Sequence, residues 1–326
     1  MIERPITVYI ISGIPGRANY LKRALKSALA QNYGNYNVVV RMGYRNSAVE
    51  EMADERVTFS FFVGSQIGIG KKLGRNLAES VQFLNDFVCF MDDDDYFASN
   101  KLRKINEEFG EDFVFIHNGI HAVDYNGEEL NYQNERDDFN MSSISVRKEI
   151  IDKTLFYDLD SSMDTAIYLS AVKHGKMKFI KDKLTYYTIH SSTTIGFFGS
   201  IEEWRKRKLH SYADIIQPTY LYLCRYFQGT PAEDYAKRLV NLNKLFIRLY
   251  SKRENSPKIS FKCVIKGIFQ KQYLNYRDTF ASKVILASYF SRNWTLRKLY
   301  KLDSELVVQK TKREDNNDAA GIYKWD

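Results

Sequence analysis

The sequence predicts an α/β fold in which a mostly parallel sheet is followed by a basic, mainly helical region. Two observations support this fold class. Up to about residue 190, short apolar segments typical of buried strands alternate with segments whose apolar residues recur at helical spacing. Beyond about residue 200 the strand patterns fade, and helical patterns rich in Lys and Arg replace them. Such alternation is typical of a sheet that is covered by helices on both faces.

The first part of the chain carries strongly patterned strands and helices. Each predicted strand is a run of apolar and β-branched residues, and each predicted helix places Leu and Ala on the face that a sheet would bury. The strands are 6–11, 36–40, 57–63 and 87–91, and the helices are 18–31 and 71–84.

The elements that follow are shorter and more widely spaced. The Asn126-Gly127 pair predicts a tight hairpin turn. We predict strands at 113–117, 141–146 and 177–180, and helices at 101–109, 162–174, 220–227, 236–250 and 281–300.

Charge divides the chain into two parts. Residues 201–326 hold 25 Lys and Arg against 13 Asp and Glu, whereas residues 1–200 hold 23 against 27. We therefore predict an α/β domain at 1–200 and a basic helical region at 201–326 that contacts an acceptor, a membrane surface or a second copy of the chain. A solvated helical face explains the basic charge without any partner, and an anionic membrane surface is the main alternative. Nucleic acid is disfavoured because no recognition motif accompanies the charge.

The composition is typical of a globular protein of the cytoplasm. A length of 326 residues suits one large domain, or a catalytic domain with a smaller appendage. Cys89, Cys224 and Cys263 are scattered without metal-ligand spacing, which favours reduced thiols. The first residues do not resemble a signal peptide, and no apolar run reaches the length of a membrane span. We expect a cytoplasmic protein, with peripheral attachment to the inner face of the cell membrane as the alternative.

The most informative segment is an apolar strand at 87–91 that runs directly into four carboxylates, Asp92 to Asp95. In open α/β sheets ligands bind at the carboxyl ends of the strands, so these acids should face the site crevice. Clustered carboxylates suit Mg²⁺ or Mn²⁺, and such a cation commonly neutralises a diphosphate. A solvated acidic turn is the alternative interpretation of a cluster of this kind.

A Gly-rich segment precedes the second predicted helix. The stretch Gly68-Ile-Gly70-Lys-Lys-Leu-Gly74 resembles a dinucleotide-binding fingerprint, but its last interval is one residue too long, and it lacks the spacing of a P-loop. We interpret it as a loop that allows close approach of a ligand before Arg75, which could pair bidentately with a phosphate. A solvated helical arginine is the alternative.

Taken together, these motifs resemble those of family 2 glycosyltransferases with the GT-A fold, over about residues 5–195. The resemblance implies a Rossmann-like, mixed but mostly parallel sheet. Five family motifs appear in the family's order, which makes the match specific. The L-x-x-A-L-x-S-x-L-x-Q helix is at 21–31, the G-x-x-x-A-R-N element is similar to 70–76, the F-L-D-x-D-D signature to 90–95, the E-D element to 163–164 and the Y-R-x-H element to 187–190.

The resemblance also implies roles for the residues that match these motifs. Asp92, Asp94 and His190 would bind a Mg²⁺ or Mn²⁺ ion. Asp164 would be the general base that accepts the proton of the attacking hydroxyl. The implied contacts of the nucleotide-sugar donor are Ser12, Gly70, Arg75, Asp92 and Asp93.

Asp164 has a second interpretation. It follows Ser161-Ser162 in the first turn of a predicted helix, where a carboxylate commonly does no more than stabilise the helix N-terminus. Because the helix dipole favours the ionised carboxylate, we expect a low pKa at Asp164.

Some positions depart from the family pattern. Family members carry acidic residues after the second strand, one of which contacts uracil, whereas here Arg41 takes the acidic position in Arg41-Met-Gly-Tyr-Arg45. The family implies a UDP-sugar, but this change leaves the donor nucleotide open. Met163 replaces the glutamate that normally precedes the base. The chain also lacks the Q-x-x-R-W element of processive synthases, which favours the transfer of single sugars.

These observations predict an inverting, metal-dependent hexosyltransferase. It would move one sugar from a nucleotide-diphosphate sugar to a hydroxyl of a glycan or lipid-linked acceptor, in the synthesis of surface polysaccharide or glycoconjugates. One alternative is a non-catalytic glycan- or nucleotide-binding protein on a degenerate transferase fold, because of Arg41 and Met163. The other is a nucleotide-sugar pyrophosphorylase, which would need a Gly-rich, Arg-containing turn after the first strand, where this chain has Ser12-Gly-Ile-Pro-Gly-Arg17.

Overall fold

The chain is described by a computed structural model, which covers residues 3–62, 69–110, 113–130, 140–189, 200–252 and 291–301. Among these residues, eight strands form one sheet in the order β3-β2-β1-β4-β7-β6-β8-β5. The strands are β1 (Ile6–Ser12), β2 (Tyr36–Met42), β3 (Val57–Phe61), β4 (Phe87–Asp92), β5 (Tyr96–Phe97), β6 (Phe113–Val123), β7 (Ile144–Arg147) and β8 (Lys176–Thr188).

The sheet is mixed but mostly parallel, as predicted. Strands β3, β2, β1 and β4 are parallel neighbours, and β6 and β8 run parallel to each other. The antiparallel members are β7, which lies between β4 and β6, and the two-residue strand β5 beside β8. The carboxyl ends of β1, β2 and β4 therefore meet at one edge of the sheet, where α/β folds bind their ligands.

Short connections join the strands to the helices of both faces. The described helices are α1 (Ala18–Leu29), α2 (Ser47–Glu50), α3 (Ile69–Ser80), α4 (Lys101–Glu108), α5 (Lys153–Tyr157), α6 (Met163–His174), α7 (Ile201–His210), α8 (Gln217–Tyr226) and α9 (Glu233–Tyr250), with a further helix at 292–301. A three-residue 3₁₀ turn, Pro15–Arg17, connects β1 to α1.

Strand β1 shows how the sequence builds a core on each face of the sheet. Successive side chains of a strand point to opposite faces. Ile6, Val8 and Ile10 pack in the cluster that includes α1, whereas Tyr9 and Ile11 pack in the cluster that includes α3 and α6. Burial of each such aliphatic side chain stabilises the fold by roughly 1.5–3 kcal/mol. A continuous apolar strand is thus required at the centre of this sheet.

Several elements differ from the prediction. Strand β8 has 13 residues and β6 has 11, longer than predicted, because their outer halves carry polar residues that hide the strand pattern. Strand β7 begins at Ile144, since residues 141–143 form a 3₁₀ turn that Asn140 caps. Helix α3 begins at Ile69, so Gly70 lies in its first turn and not in a loop. The elements α2, α5 and β5 were not predicted because they are too short to show a period.

The described parts of 201–326 are helical, and they share a core with the α/β domain. Leu223 of α8 and Phe227, which directly follows this helix, pack in the same cluster as Phe115 of β6, across the predicted boundary at residue 200. A second cluster joins Trp204 of α7 to Leu296. The first half of the helix predicted at 281–300 lies outside the described residues, and the domain boundary, membrane contact and oligomerisation stay predictions. None of the described helices is both long and apolar enough to cross a membrane.

Gly74 allows helix α3 to lie directly against α5. A Cβ atom at this position would lie 2.4 Å from the carbonyl oxygen of Phe156 and 3.2 Å from Cβ of Leu159. Because backbone atoms must shift to relieve such a contact, we expect Gly74→Ala to destabilise the protein by about 1–3 kcal/mol, although alanine favours helix. Urea unfolding would measure the loss. Gly110→Ala is the matched control, since its Cβ would meet only an ordinary contact at 3.8 Å; equal stability of both variants would contradict the expectation.

Candidate functional site

The four predicted acids form a tight turn at the carboxyl end of β4. Asp92 is the last residue of the strand, and the amide of Asp95 donates a hydrogen bond to the carbonyl oxygen of Asp92 over 3.3 Å. Asp92 is half-buried, whereas Asp93, Asp94 and Asp95 are 4%, 9% and 0% exposed. A solvated acidic turn is therefore not what the chain forms, and we call residues 92–95 the acid loop.

Hydrogen bonds from buried polar groups fix the position of the acid loop. The amide of Asp92 donates to Oγ of Ser142 over 2.9 Å, and the amide of Thr188 donates to Oδ1 of Asp95 over 2.8 Å. Nζ of the fully buried Lys101 donates to the carbonyl oxygen of Ser142 and to Oγ1 of Thr185. Burial lowers the pKa of Lys101 to about 7. Asp95 thus ties the loop to the end of β8.

Strand β1 contributes the other side of the site. The register pairs Ile11 with Asp92, so Ser12 lies beside Asp93. Oγ of Ser12 donates to Oδ2 of Asp93 over 2.7 Å and lies 2.9 Å from the hydroxyl oxygen of Tyr44, just after β2. The structure therefore brings Ser12 and Asp93, two of the predicted donor contacts, into a hydrogen bond with each other, and their contact with a donor stays a prediction. Tyr44 was not predicted as a site residue.

Arg17 also lies in the site, and the sequence analysis did not single it out as a site residue. Its Nη1 atom is 2.9 Å from Oδ2 of Asp94 and 3.2 Å from Oδ1 of Asp93. The available signal was its place in the short turn after β1, since residues that follow neighbouring parallel strands meet at the same edge. Arg23 of α1 binds the loop differently, because it donates to the backbone oxygen of Asp94 and to Oγ1 of Thr188.

Electrostatics in the acid loop disfavour full ionisation. Burial, and next the charges of Asp94 and Asp93, raise the pKa of Asp92 to about 8. Burial and the charge of Asp94 raise the pKa of Asp93 to about 6, although Arg17 and Ser12 act in the opposite direction. The charge of Asp164 also raises the pKa of Asp92, so the two carboxylates are close enough to repel each other. Such a cluster favours a bound cation or a bound proton.

Without a divalent cation, we expect the free energy of unfolding to fall as the pH rises from about 5 to about 7. Over this interval folded Asp92 keeps a proton that the unfolded chain has lost, because its pKa is raised from 3.8 to about 8. The stabilisation is complete below the unfolded pKa and disappears as the pH passes about 8, at up to ~1.4 kcal/mol per pH unit. Lys101, with a pKa of about 7, would act in the opposite direction only at higher pH.

The comparison of wild type with Asp92→Asn isolates this proton. Urea unfolding in the presence of a chelator at about pH 5, 6 and 7 should give a flatter dependence for the variant, since an amide does not titrate. The same slope in both proteins would contradict the raised pKa of Asp92.

Asp164 is the second residue of helix α6, which faces the acid loop. Its Oδ1 accepts a hydrogen bond from the amide of Thr165 over 2.7 Å, and Ser162 before the helix adopts a left-handed conformation with φ of 55°. The expectation of a low pKa is wrong: burial raises the pKa of Asp164 more than these hydrogen bonds lower it. Tyr220 of α8 lies nearby, and its pKa is raised by burial and by the charge of Asp164.

Arg75 and Arg41 lie on the face of the sheet covered by α3. Cζ of Arg75 stacks 4.4 Å from the ring centre of Tyr157, and Nε of Arg75 is buried with no hydrogen-bond partner among the described residues. Its phosphate contact stays a prediction. Arg41 is buried and donates to Oδ1 of Asn76 over 3.1 Å, and also to Ser60 and Glu79. Arg41 therefore joins β2 to α3. Because β2 ends at Met42, Arg41 lies within the strand, and the residues that follow the strand are Gly43 and Tyr44.

The acid loop fits a divalent cation that a bound ligand completes. No group of three or more His, Cys, Asp or Glu side chains in the described part of the chain could hold a metal ion. Mg²⁺, however, typically takes only one or two protein carboxylates together with phosphate oxygens of the substrate. The carboxylates of Asp92 and Asp94 would supply two such ligands, and their binding of a metal ion stays a prediction. His190, the third predicted ligand, lies outside the described residues, and the side-chain surroundings of Gly70 are likewise not described.

Comparison with known proteins gives a family match over part of the chain, and a fold. The model of glycosyl transferase family 2 matches residues 15–163. An uncharacterised glycosyltransferase of Rickettsia conorii is 26% identical over 145 residues, which are 40% of this chain. The match spans only 23% of that relative's length.

Two solved structures resemble nearly the whole chain. TarS 1–349 of S. aureus, in complex with UDP-GlcNAc, has a TM-score of 0.51 at 14% identity, covering 87% of this chain and 91% of that one. The mannosyltransferase PcManGT of Pyrobaculum calidifontis, in complex with GDP-Man and Mn²⁺, has a TM-score of 0.52 at 12% identity, covering 96% and 88%. The predicted GT-A fold is thereby confirmed.

Proposed function

We propose that the chain is a family 2 glycosyltransferase, as the match of that family's model to residues 15–163 supports, and that it transfers one sugar from a nucleotide-diphosphate sugar to a hydroxyl of a glycan or lipid-linked acceptor. One observation carries the proposal: Asp164 lies within electrostatic reach of Asp92, at the edge of the sheet where such folds bind ligands. A base and a donor-binding loop are what one displacement at a sugar carbon needs.

The donor would bind over the carboxyl ends of β1, β2 and β4. Ser12, Asp93 and Tyr44 already form a hydrogen-bonded chain there. Arg75 would add a positive charge for the diphosphate. The two structural neighbours bind UDP-GlcNAc and GDP-Man respectively. We propose either nucleotide as the donor's leaving group, because no carboxylate follows β2 to favour uracil.

Asp92 and Asp94, with His190, would hold a Mg²⁺ or Mn²⁺ ion. When bound, such an ion supplies positive charge that stabilises the diphosphate as it leaves. The PcManGT complex contains Mn²⁺. The raised pKa values of the acid loop support the same assignment, since clustered buried carboxylates need a positive charge in order to ionise together.

Asp164 would act as the general base. The acceptor hydroxyl oxygen forms a bond to the anomeric carbon while the bond from that carbon to the phosphate oxygen breaks, and Asp164 takes the hydroxyl proton. One displacement from the opposite face inverts the configuration. Burial raises the pKa of Asp164, which makes its ionised form a stronger base than a solvated carboxylate.

The basic charge of residues 201–326 supports contact with anionic lipid at a membrane surface where a lipid-linked acceptor would lie. The protein would then act in the cytoplasm or at the inner face of the cell membrane. Co-sedimentation with anionic vesicles at low salt tests this part of the proposal; protein that stays in the supernatant refutes it.

A donor screen tests the reaction itself. The full-length protein is incubated with a panel of UDP-, GDP- and other sugar nucleotides and Mn²⁺, and release of nucleoside diphosphate is measured with and without candidate glycan acceptors. Release of a nucleoside diphosphate supports glycosyl transfer. Release of pyrophosphate from a sugar phosphate and a nucleoside triphosphate would instead indicate a pyrophosphorylase, and binding without turnover a non-catalytic protein.

A further inference from the structure

Arg17 places a permanent positive charge on the carboxylates that are expected to meet a divalent cation. Its Nη1 atom contacts Oδ2 of Asp94 at 2.9 Å and Oδ1 of Asp93 at 3.2 Å, and its side chain is only 19% exposed. A guanidinium stays protonated at any physiological pH. The acid loop is therefore already partly neutralised by a group of the chain itself.

Among the described residues, the neighbouring contacts show Arg17 facing these carboxylate oxygens while Arg23 contacts the loop elsewhere. Ser12 binds the other oxygen of Asp93 at 2.7 Å, which fixes that carboxylate against β1. Arg23 contacts the loop through the backbone oxygen of Asp94 and is also bound to Thr188 and to the carbonyl oxygen of Tyr125. Arg23 thus stabilises the loop's main chain, whereas Arg17 binds its side chains.

A divalent cation and the Arg17 guanidinium would repel each other strongly if both contacted the same oxygen of Asp94, because both are positively charged and the site is poorly solvated. A diphosphate changes this balance, since it carries negative charge that an arginine binds well, often through two parallel hydrogen bonds. The Arg17 side chain can reach either anion by rotation about its own bonds, while its backbone stays in the three-residue turn that joins β1 to α1.

We propose that Arg17 is a donor-binding residue. In the donor-free protein its guanidinium pairs with Asp93 and Asp94, and when the donor binds, the guanidinium leaves these carboxylates and pairs with the diphosphate. This inference rests on the proposed function. Cation and nucleotide then bind cooperatively: without a diphosphate Arg17 competes with the cation for Asp94, and with a diphosphate it adds to donor affinity. The site avoids binding a cation before there is a donor to bind with it.

Binding measurements on the full chain test the exchange without any turnover. Mn²⁺ alone is titrated into wild type, Arg17→Gln and Arg17→Lys, and free Mn²⁺ is followed by its electron paramagnetic resonance signal. We expect Arg17→Gln to bind Mn²⁺ about tenfold more tightly than wild type, and Arg17→Lys to stay close to wild type, because lysine keeps the charge. Arg45→Gln is the matched control, since Arg45 pairs with Glu50 on the surface.

The second measurement uses UDP and GDP as probes at saturating Mn²⁺, by calorimetry. Arg17→Gln should weaken the binding of the preferred nucleotide about tenfold. A further Asp94→Asn change in the Arg17→Gln protein should abolish the gain in Mn²⁺ affinity. Thermal unfolding and circular dichroism confirm that each variant is folded.

The outcomes separate this inference from the proposed function. Unchanged or weaker Mn²⁺ binding by folded Arg17→Gln overturns the competition, and unchanged nucleotide affinity overturns the donor-binding role. Wild type could also fail to bind UDP, GDP and every sugar nucleotide while Arg17→Gln still binds Mn²⁺ more tightly. That result would refute the proposed donor. It would also overturn the exchange, because Arg17 would then be only a counter-ion of the acid loop.

Discussion

Asp164→Asn is expected to lower the rate of sugar transfer by on the order of 10³-fold while donor and cation binding persist. The amide keeps the size of the carboxylate and can still accept the hydrogen bond of the Thr165 amide, but it cannot take a proton from the acceptor. Removal of one of two repelling carboxylates should also lower the pKa of Asp92, so cation affinity should be maintained or increased.

Single-turnover assays with the donor identified in the screen measure the loss, and calorimetry with the nucleoside diphosphate measures binding. Asp158→Asn is a suitable control because Asp158 is an exposed acid in the connection just before α6. An Asp164→Asn enzyme with near wild-type turnover would refute the assignment of the base. Loss of nucleotide binding in that variant would instead indicate a structural role.

Asp94→Ala is expected to abolish both turnover and its dependence on Mn²⁺, with a loss of at least on the order of 10³-fold. The change removes a predicted cation ligand and leaves the Arg17 guanidinium with Asp93 as its acidic partner. An ion held by Asp92 alone would bind weakly, because fewer carboxylate oxygens surround it.

Two measurements check this expectation: nucleoside diphosphate release as a function of Mn²⁺ concentration, and thermal unfolding to verify the fold. The control is Asp86→Ala, which removes an exposed acid next to the opposite end of β4 and should leave activity intact. If Asp94→Ala keeps a wild-type response to Mn²⁺, the ion binds elsewhere and the cation assignment is wrong.

The sequence was sufficient for the longer strands and helices of the first hundred residues because their apolar patterns are long and regular, whereas the short α2 and β5 were missed. It was also sufficient to bring Asp92 and Asp164 forward as candidate site residues, since each belongs to a recognisable family motif, and Ser12 lies at the end of the first predicted strand. It was insufficient for Arg17 and Tyr44. Their relation to Asp93 depends on the strand order β2-β1-β4, which no local pattern specifies.

The pKa of Asp164 illustrates a second limit. The sequence places this residue in the first turn of a helix, from which a low pKa follows. The structure adds the surroundings that decide the sign, because burial raises the pKa of Asp164 more than its hydrogen bonds lower it, and Tyr220 of α8 lies close enough to be affected by its charge. Desolvation by an element more than fifty residues away is a tertiary effect, and a helix dipole is a local one.

Lys101 supports the acid loop indirectly, because its hydrogen bonds join segments that are far apart in the chain. Its hydrogen bonds reach Ser142 and Thr185, and Ser142 in turn binds the amide of Asp92. None of these anchoring groups needs to touch a sugar or a nucleotide. The position of the acid loop therefore depends on buried groups outside the predicted donor and cation contacts, so a change at Lys101 should displace the loop without removing any predicted ligand.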